Sequence, residues 1–193
     1  MQLEDWRGAA EAYRNVLTLY PDYEEGYSSA GALYQEKLFA YPEAFALSQQ
    51  WLERHPDDLP AQANSAEAHF TTGRFAKAET RIAALLTNLK LDLSTGLGLR
   101  TLHIATLLAL NKPESVPSAL TALRDFVGNL PSDFQASWSF EGSKHFIGNE
   151  PMLVPSRSWL LELFSAVEEK DTQKRLAALE KVRAGVPTMK KTQ

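Results

Sequence analysis

The chain has 193 residues, 44% of them hydrophobic and 10% aromatic, with a formal net charge of −4 and no cysteine. That composition can bury the core of one domain or one short repeat array, and it argues against disorder. It excludes disulfides, thiolate metal sites and thiol nucleophiles, and its mild negative charge gives no reason to expect nucleic-acid binding.

The first residues, "MQLEDWRG", lack the basic and apolar stretches of a signal peptide. No apolar run approaches the roughly 20 residues that span a bilayer. A soluble cytoplasmic chain with no membrane contact is the default expectation. Residues 6–21 then place Trp6, Ala9 and Tyr13 three and four residues apart, on one face of a helix that Pro21 ends. The same order returns at Tyr41, Ala44 and Ser48, and again at Phe75, Ala78 and Ile82. The alanines step by 35 and then 34 residues, and Pro56 follows Pro21 by 35.

A companion pattern precedes each later copy: Tyr27, Gly31 and Tyr34 are matched 35 residues on by Gln62, Ala66 and His69. Both patterns have helical spacing. The small residues mark where two helices of a hairpin approach, and each buried aromatic beside them contributes about 1.5–3 kcal/mol. A fourth copy is degenerate. Val116, Ala119, Phe126 and Pro131 follow Tyr41, Ala44, Trp51 and Pro56 by 75 residues, so Leu102, Thr106 and Ala109 take the places of Tyr27, Gly31 and Tyr34. The step from Ala78 to Ala119 is 41, which puts about seven extra residues in "TNLKLDLSTGLG", residues 87–98.

Farther on, Trp138, Gly142 and His145 have first-helix spacing in residues 137–148. Residues 156–170 read as a partner helix with Trp159, Leu163 and Val167 on one face. Residues 171–185 start at a capping Asp171, stop at Gly185, and carry Leu176, Leu179 and Val182 in one stripe, as a terminal capping helix would. "VPTMKKTQ" reads as a frayed tail.

The aromatic, small, aromatic, Ala, aromatic, Pro order at Tyr27, Gly31, Tyr34, Ala44, Trp51 and Pro56 resembles the tetratricopeptide repeat, a helix–turn–helix unit of about 34 residues. "TTGRFAKAE", residues 71–79, is the nearest match to that family's turn and second helix. The resemblance implies an all-α solenoid of antiparallel helix pairs. Its expected divisions are residues 1–131 as repeats (a half repeat at 1–21, then about 24–56, 59–92 and 97–131), residues 132–186 as a degenerate unit plus cap, and residues 187–193 as a tail. Residues 6–21 are then a second helix without its first, for which "MQLED" is too short. That suggests a fragment of a larger protein, with an apolar N-terminal edge at Trp6, Tyr13 and Val16 through which two copies could pair.

Chemistry finds little purchase. His55, His69, His103 and His145 form no His-x-x-x-His spacing, and Glu141 with His145 supplies only two ligands, so no metal is expected. Gly96-x-Gly98 lacks the third glycine or the lysine of a phosphate loop, so no cofactor is expected either. Ser156, Ser158 and Ser165 have no nucleophile elbow. The carboxylate pairs Glu24–Glu25 and Glu168–Glu169 are sequence neighbours that point apart on a helix. No catalytic residue is expected.

What the resemblance implies instead is a concave groove, lined by the first helix of each unit, that takes a peptide or helix of a partner protein. Carried across, its positions are Glu25, Ser28, Ala32 and Gln35, then Ala63, Asn64, Glu67 and Phe70, then Arg100, His103 and Leu107. The family's carboxylate-clamp members grip an acidic tail with two Lys, two Asn and one Arg. Here those places read Ser28, Ala32, Asn64, Arg100 and Ile104, so that specialisation is not expected. Glu25, Glu36 and Glu67 make the near end acidic and Phe70 makes the middle apolar, which suits a partner with apolar anchors and a basic residue. A rival reading places a small-ligand pocket among Trp138, Phe140, Glu141, His145 and Trp159.

Overall fold

The computed structural model describes residues 5–88 and 90–186, and every regular element among them is helical. The tail expected at 187–193 and residues 1–4 of "MQLED" lie outside the described residues. Helices α1 (Trp6–Leu19), α2 (Glu24–Ala32), α3 (Tyr41–Arg54), α4 (Leu59–Thr71), α5 (Phe75–Leu86), α6 (Leu93–Ala109) and α7 (Val116–Gly128) pack each against the next. This is an all-α solenoid of successive helix pairs. Helices α8 (Glu141–Asn149), α9 (Arg157–Val167) and α10 (Thr172–Ala184) complete the fold.

Local chemistry sets many of the boundaries. Asp5, Asp58, Asp92 and Asp171 each accept a backbone N–H in the first turn of α1, α4, α6 and α10. Pro42, Pro60 and Pro117 occupy first-turn positions, where a missing N–H costs nothing. The repeat residues form the interhelical seams: Tyr27, Tyr34, Ala44, Trp51, Ala66, Phe75, Ala78 and Ile82 are all buried. Ala9 is only half-buried, because among the described residues no helix packs on that side of α1.

Three turns link first helices to second helices, and each holds one residue at positive φ: Phe39 at 50°, Gly73 at 72° and Asn111 at 55°. In the second turn the Arg74 N–H bonds back to His69 O, and in the third Lys112 N–H bonds to Leu107 O. In the first, Ala40 N–H reaches Tyr34 O, one residue farther. The extra residue is absorbed by a π-helical turn over Leu33–Lys37 that continues α2. This accounts for the ten residues from Tyr34 to Ala44 against nine from His69 to Ala78.

The same turns correct the expected register of α6. Leu107 is the counterpart of His69, and it lies 12 residues before Ala119. Three of the seven extra residues therefore sit after Asn111, around the short 3-10 turn Pro113–Ser115, rather than in residues 87–98.

The C-terminal part differs from a continued repeat. Trp138 precedes α8 instead of belonging to it: the backbone N–H groups of Ser137 and Trp138 both donate to Ser94 Oγ, at 2.8 and 2.9 Å. Its indole lies so close over Gly98 that no β-carbon could stand there. Helix α9 buries Trp159, Leu160, Leu163 and Phe164 and packs against α6, while α10 packs against α7 and α9. Helix α8 packs on α9 and also turns back onto α4 and the π turn.

Ala78 is fully enclosed, so Ala78→Leu should overpack the α4–α5 seam and lower unfolding free energy by about 1–3 kcal/mol in urea titrations.

Candidate functional site

The side chains of interest lie along the face shared by the first helices α2, α4 and α6. At the start of α2 and the middle of α4, Glu25, Ser28 and Asn64 are exposed. Glu25 accepts a bond from the Tyr23 hydroxyl at 3.0 Å. Beside Ser28 and Asn64 opens a cavity of about 160 Å³, bounded by α2, α3 and α4 and reaching down to Trp51, Gln35 and Glu67. Its apolar wall of Tyr27, Ala44, Leu47, Trp51 and Ala61 belongs to the N-terminal one of the chain's two apolar clusters. Its walls carry Glu24, Glu36, Asp58 and Glu67 and no lysine or arginine. Asp58 is already engaged, accepting from Trp51 Nε1 at 2.7 Å and from Ala61 N–H at 2.9 Å. Glu24 and Glu36 are the carboxylates left for a visitor.

The other end of this face is closed by the chain itself. Ser143 of α8 donates its hydroxyl to Glu67 Oε1 at 2.6 Å. Gly142 sits so tightly on the π turn that a β-carbon there would lie 2.5 Å from the Gln35 carbonyl oxygen. The Tyr41 hydroxyl lies 3.0 Å from the Gly142 carbonyl and 2.8 Å from His145 Nδ1, and the His145 ring stacks on Phe39 at 3.7 Å. Phe146 packs edge-on against Phe70, with ring centroids 5.2 Å apart.

Several expected groove residues are thereby placed elsewhere. Gln35, Glu67 and Phe70 are buried. Phe70 is not a bare apolar anchor, because Phe75 and Phe146 cover it. Arg100 and His103 leave the face altogether. With Leu107 matched to His69, the positions that continue the face along α6 are Gly98, Thr101 and Ala105, all buried. Arg100 instead lies over the Phe126 ring of α7 at 4.2 Å and donates to Gly96 O. His103 is half-buried within the field of Glu79 and Lys112, and burial holds its pKa below the usual histidine value.

Sequence reasoning missed Glu24, Trp51 and Ser143 as members of the site. Glu24 was legible as a neighbour of Glu25, whereas Ser143 lies 76 residues from its partner and gave no signal. The aromatic residues of the rival small-ligand reading go to separate neighbours. Trp138 lies on Gly98, Phe140 on Phe164, His145 on Phe39, and Trp159 Nε1 donates to Val182 O at 2.8 Å. At the N-terminal edge, Leu19 (74% accessible), Tyr20 and Tyr23 are exposed, while Trp6, Tyr13 and Val16 are half-buried.

Burial pushes the Glu67 carboxyl up to about 7, against the opposing Ser143 bond; nearby Glu36 adds to the rise, and Gln35 opposes it. Burial raises the Tyr41 phenol, and the Glu67 charge adds to the rise. A carboxyl whose pKa rises on folding stabilises the fold at low pH and loses that contribution as pH climbs from about 4.5 to 7. Over that window the wild-type chain should lose stability relative to Glu67→Gln, by up to about 3 kcal/mol. Paired urea titrations at pH 5 and 8 measure the difference, and equal behaviour of the two chains would contradict a buried, protonated Glu67.

The family profile of the tetratricopeptide repeat matches residues 37–93, from the end of the π turn to the start of α6. Comparison with curated proteins and with solved structures gives no match. Among the described residues no helix is long and apolar enough to cross a membrane, and no cluster of three metal-ligating side chains occurs.

Proposed function

We propose, for a chain whose residues 37–93 belong to the tetratricopeptide repeat, that it works as a protein-interaction scaffold without bond chemistry of its own. Its recognition surface is the open end of the first-helix face, with Glu24, Ser28, Glu36 and Asn64 around the cavity. One observation carries this reading: a cavity walled by four carboxylates and no cation, in which two of the carboxylates are free. At about 160 Å³ it is smaller than the roughly 300–1,000 Å³ of ordinary small-molecule pockets, and suits one inserted side chain. Lysine or arginine fits best, its apolar stem beside Trp51 and Leu47 and its charged head meeting one of the two free carboxylates, which stand at opposite ends of the first helix.

Selection from a random peptide library should enrich sequences with a basic residue flanked by apolar ones. The doubly reversed variant Glu24→Lys, Glu36→Lys should lose at least ten-fold in affinity for those peptides while keeping its helical circular dichroism. A library that shows no basic enrichment, or peptides indifferent to the reversal, would overturn the assignment.

The exposed Leu19, Tyr20 and Tyr23 favour a second use of the chain, contact between two copies through the N-terminal edge. Light scattering across a hundred-fold concentration range would show a mass that rises in the wild type and stays constant in Leu19→Lys.

A further inference from the structure

Helix α8 is a weak helix in a guarded position. It has nine residues, two of them glycine, and its N-cap residue Phe140 offers no side-chain acceptor. Isolated helices of that length are marginal in water, and each glycine is less favourable than alanine in a helix interior. Helix α8 packs on α9, where Arg157 donates to Ile147 O at 3.1 Å, but its apolar grip on the first-helix face is small. Ile147 is its one fully enclosed large side chain, Phe146 is half-buried, and Lys144 pairs with Glu168 at the surface at 2.9 Å. Its flanks are not α-helical: residues 129–140 on one side, and on the other the 3-10 segment Pro151–Ser156 with exposed Met152 and Val154.

Against this weakness stands a specific fit. Gly142 is the residue that lets a helix backbone touch the Gln35 carbonyl, Ser143 supplies the hydrogen that Glu67 accepts, and Phe146 one turn on meets Phe70. Without that serine, Glu67 would be left buried beside Glu36 with only Gln35 to assist it, a costly state for a carboxylate.

We infer that α8 holds in cis the place of a partner helix, and that the partner which displaces it carries the same pattern: glycine, then serine, then an aromatic residue three positions later. This rests on the scaffold reading above and extends its surface from the open cavity across Gln35, Glu67 and Phe70. A partner entering from the cavity with its basic residue would continue along α4 by peeling α8 away. Titratable groups around the contact are Glu36 and Lys37 on the π turn, Tyr41 on α3, Glu67 on α4, and Glu141, Lys144 and His145 on α8 itself. Acidic conditions that keep Glu67 neutral favour the closed arrangement.

Hydrogen exchange on the intact chain at constant pH reads α8 directly. Amides of residues 142–149 should exchange at least ten-fold faster than those of α4 and α6. Exchange only with global unfolding would overturn the inference. In Gly142→Leu the new side chain collides with Gln35. It should strip protection from α8 alone, and the variant should bind a labelled synthetic peptide of residues 137–149 at least ten-fold more tightly than the wild type does. An α8 that stays protected in this variant, or an opened chain that ignores the peptide, would sink the idea. Should Gly142→Leu fail to fold, Ser143→Ala with Phe146→Ala removes the contacts without adding bulk and is held to the same two readouts. The library selection is read through Glu24 and Glu36 and the displacement test through Gly142, so the failure of one is distinguishable from the failure of the other.

Discussion

The geometry of the interaction face depends on how one surplus residue is accommodated between Tyr34 and Ala44. An insertion in the turn would have shifted α3 relative to α2 and broken the seam of Tyr27, Ala44 and Trp51. The π turn at Leu33–Lys37 takes it up inside the first helix, so the turn residue Phe39 keeps the place that Gly73 has in the next unit. Widening the helix there brings the Gln35 carbonyl to the surface that Gly142 meets, and puts the Gln35 amide within 3.3 Å of Thr71 Oγ1. A local answer to a register problem thus prepares the seat on which a distant segment docks.

Consequences propagate through α4. Its Ala63, Ala66 and Ala68 let neighbouring helices come close, and nearly every side chain from Ser65 to Thr71 is enclosed. A carboxylate in such a row would be excluded unless it met a donor, and Glu67 meets Ser143. The same helix contributes to both apolar clusters, with the acidic cavity along Pro60, Asn64 and Glu67 and the Phe70–Phe75–Phe146 group at its C-terminal end. Polar recognition and apolar closure are therefore adjacent on one element, with Glu67 shared between them.

Most of the scaffold was legible because its signal is periodic and short-range. Ala44, Ala78, Tyr27 and Trp51 recur at fixed spacing, and each is buried where the spacing puts it. Asp171 announced α10 with equal clarity. The α6 face was misplaced by two residues because a fixed offset cannot say whether extra chain enters before a helix or after it. Three residues after Asn111, against one in the π turn, turned Arg100 and His103 away from the face and brought Gly98 and Thr101 onto it. Phe70 was read as exposed because the return of α8 is a long-range contact with no local cue. Gly142 looked like the small residue of another repeat, and it does permit a close approach, but to the π turn of the first full unit.

The C-terminal region closes the solenoid with two different strengths of contact. Helix α9 buries Leu160, Leu163, Phe164 and Val167 completely, and at about 1.5–3 kcal/mol for each large side chain that is a permanent cover for α6. Helix α8 packs on α9 but meets the first-helix face through a glycine, a serine, the stacked His145 ring and a half-covered phenylalanine, with Ile147 as its one deep anchor. Had the role of α8 been only to exclude water from Phe70, a leucine-rich stripe would serve better and would not need a buried carboxylate opposite. A polar contact between Ser143 and Glu67 contributes little net stability while its loss leaves the buried acid with Gln35 alone, so it selects what may dock more than it strengthens docking. That asymmetry separates a surface kept for exchange from one sealed for good, and it assigns the first role to the face of α4 and the second to the face of α6.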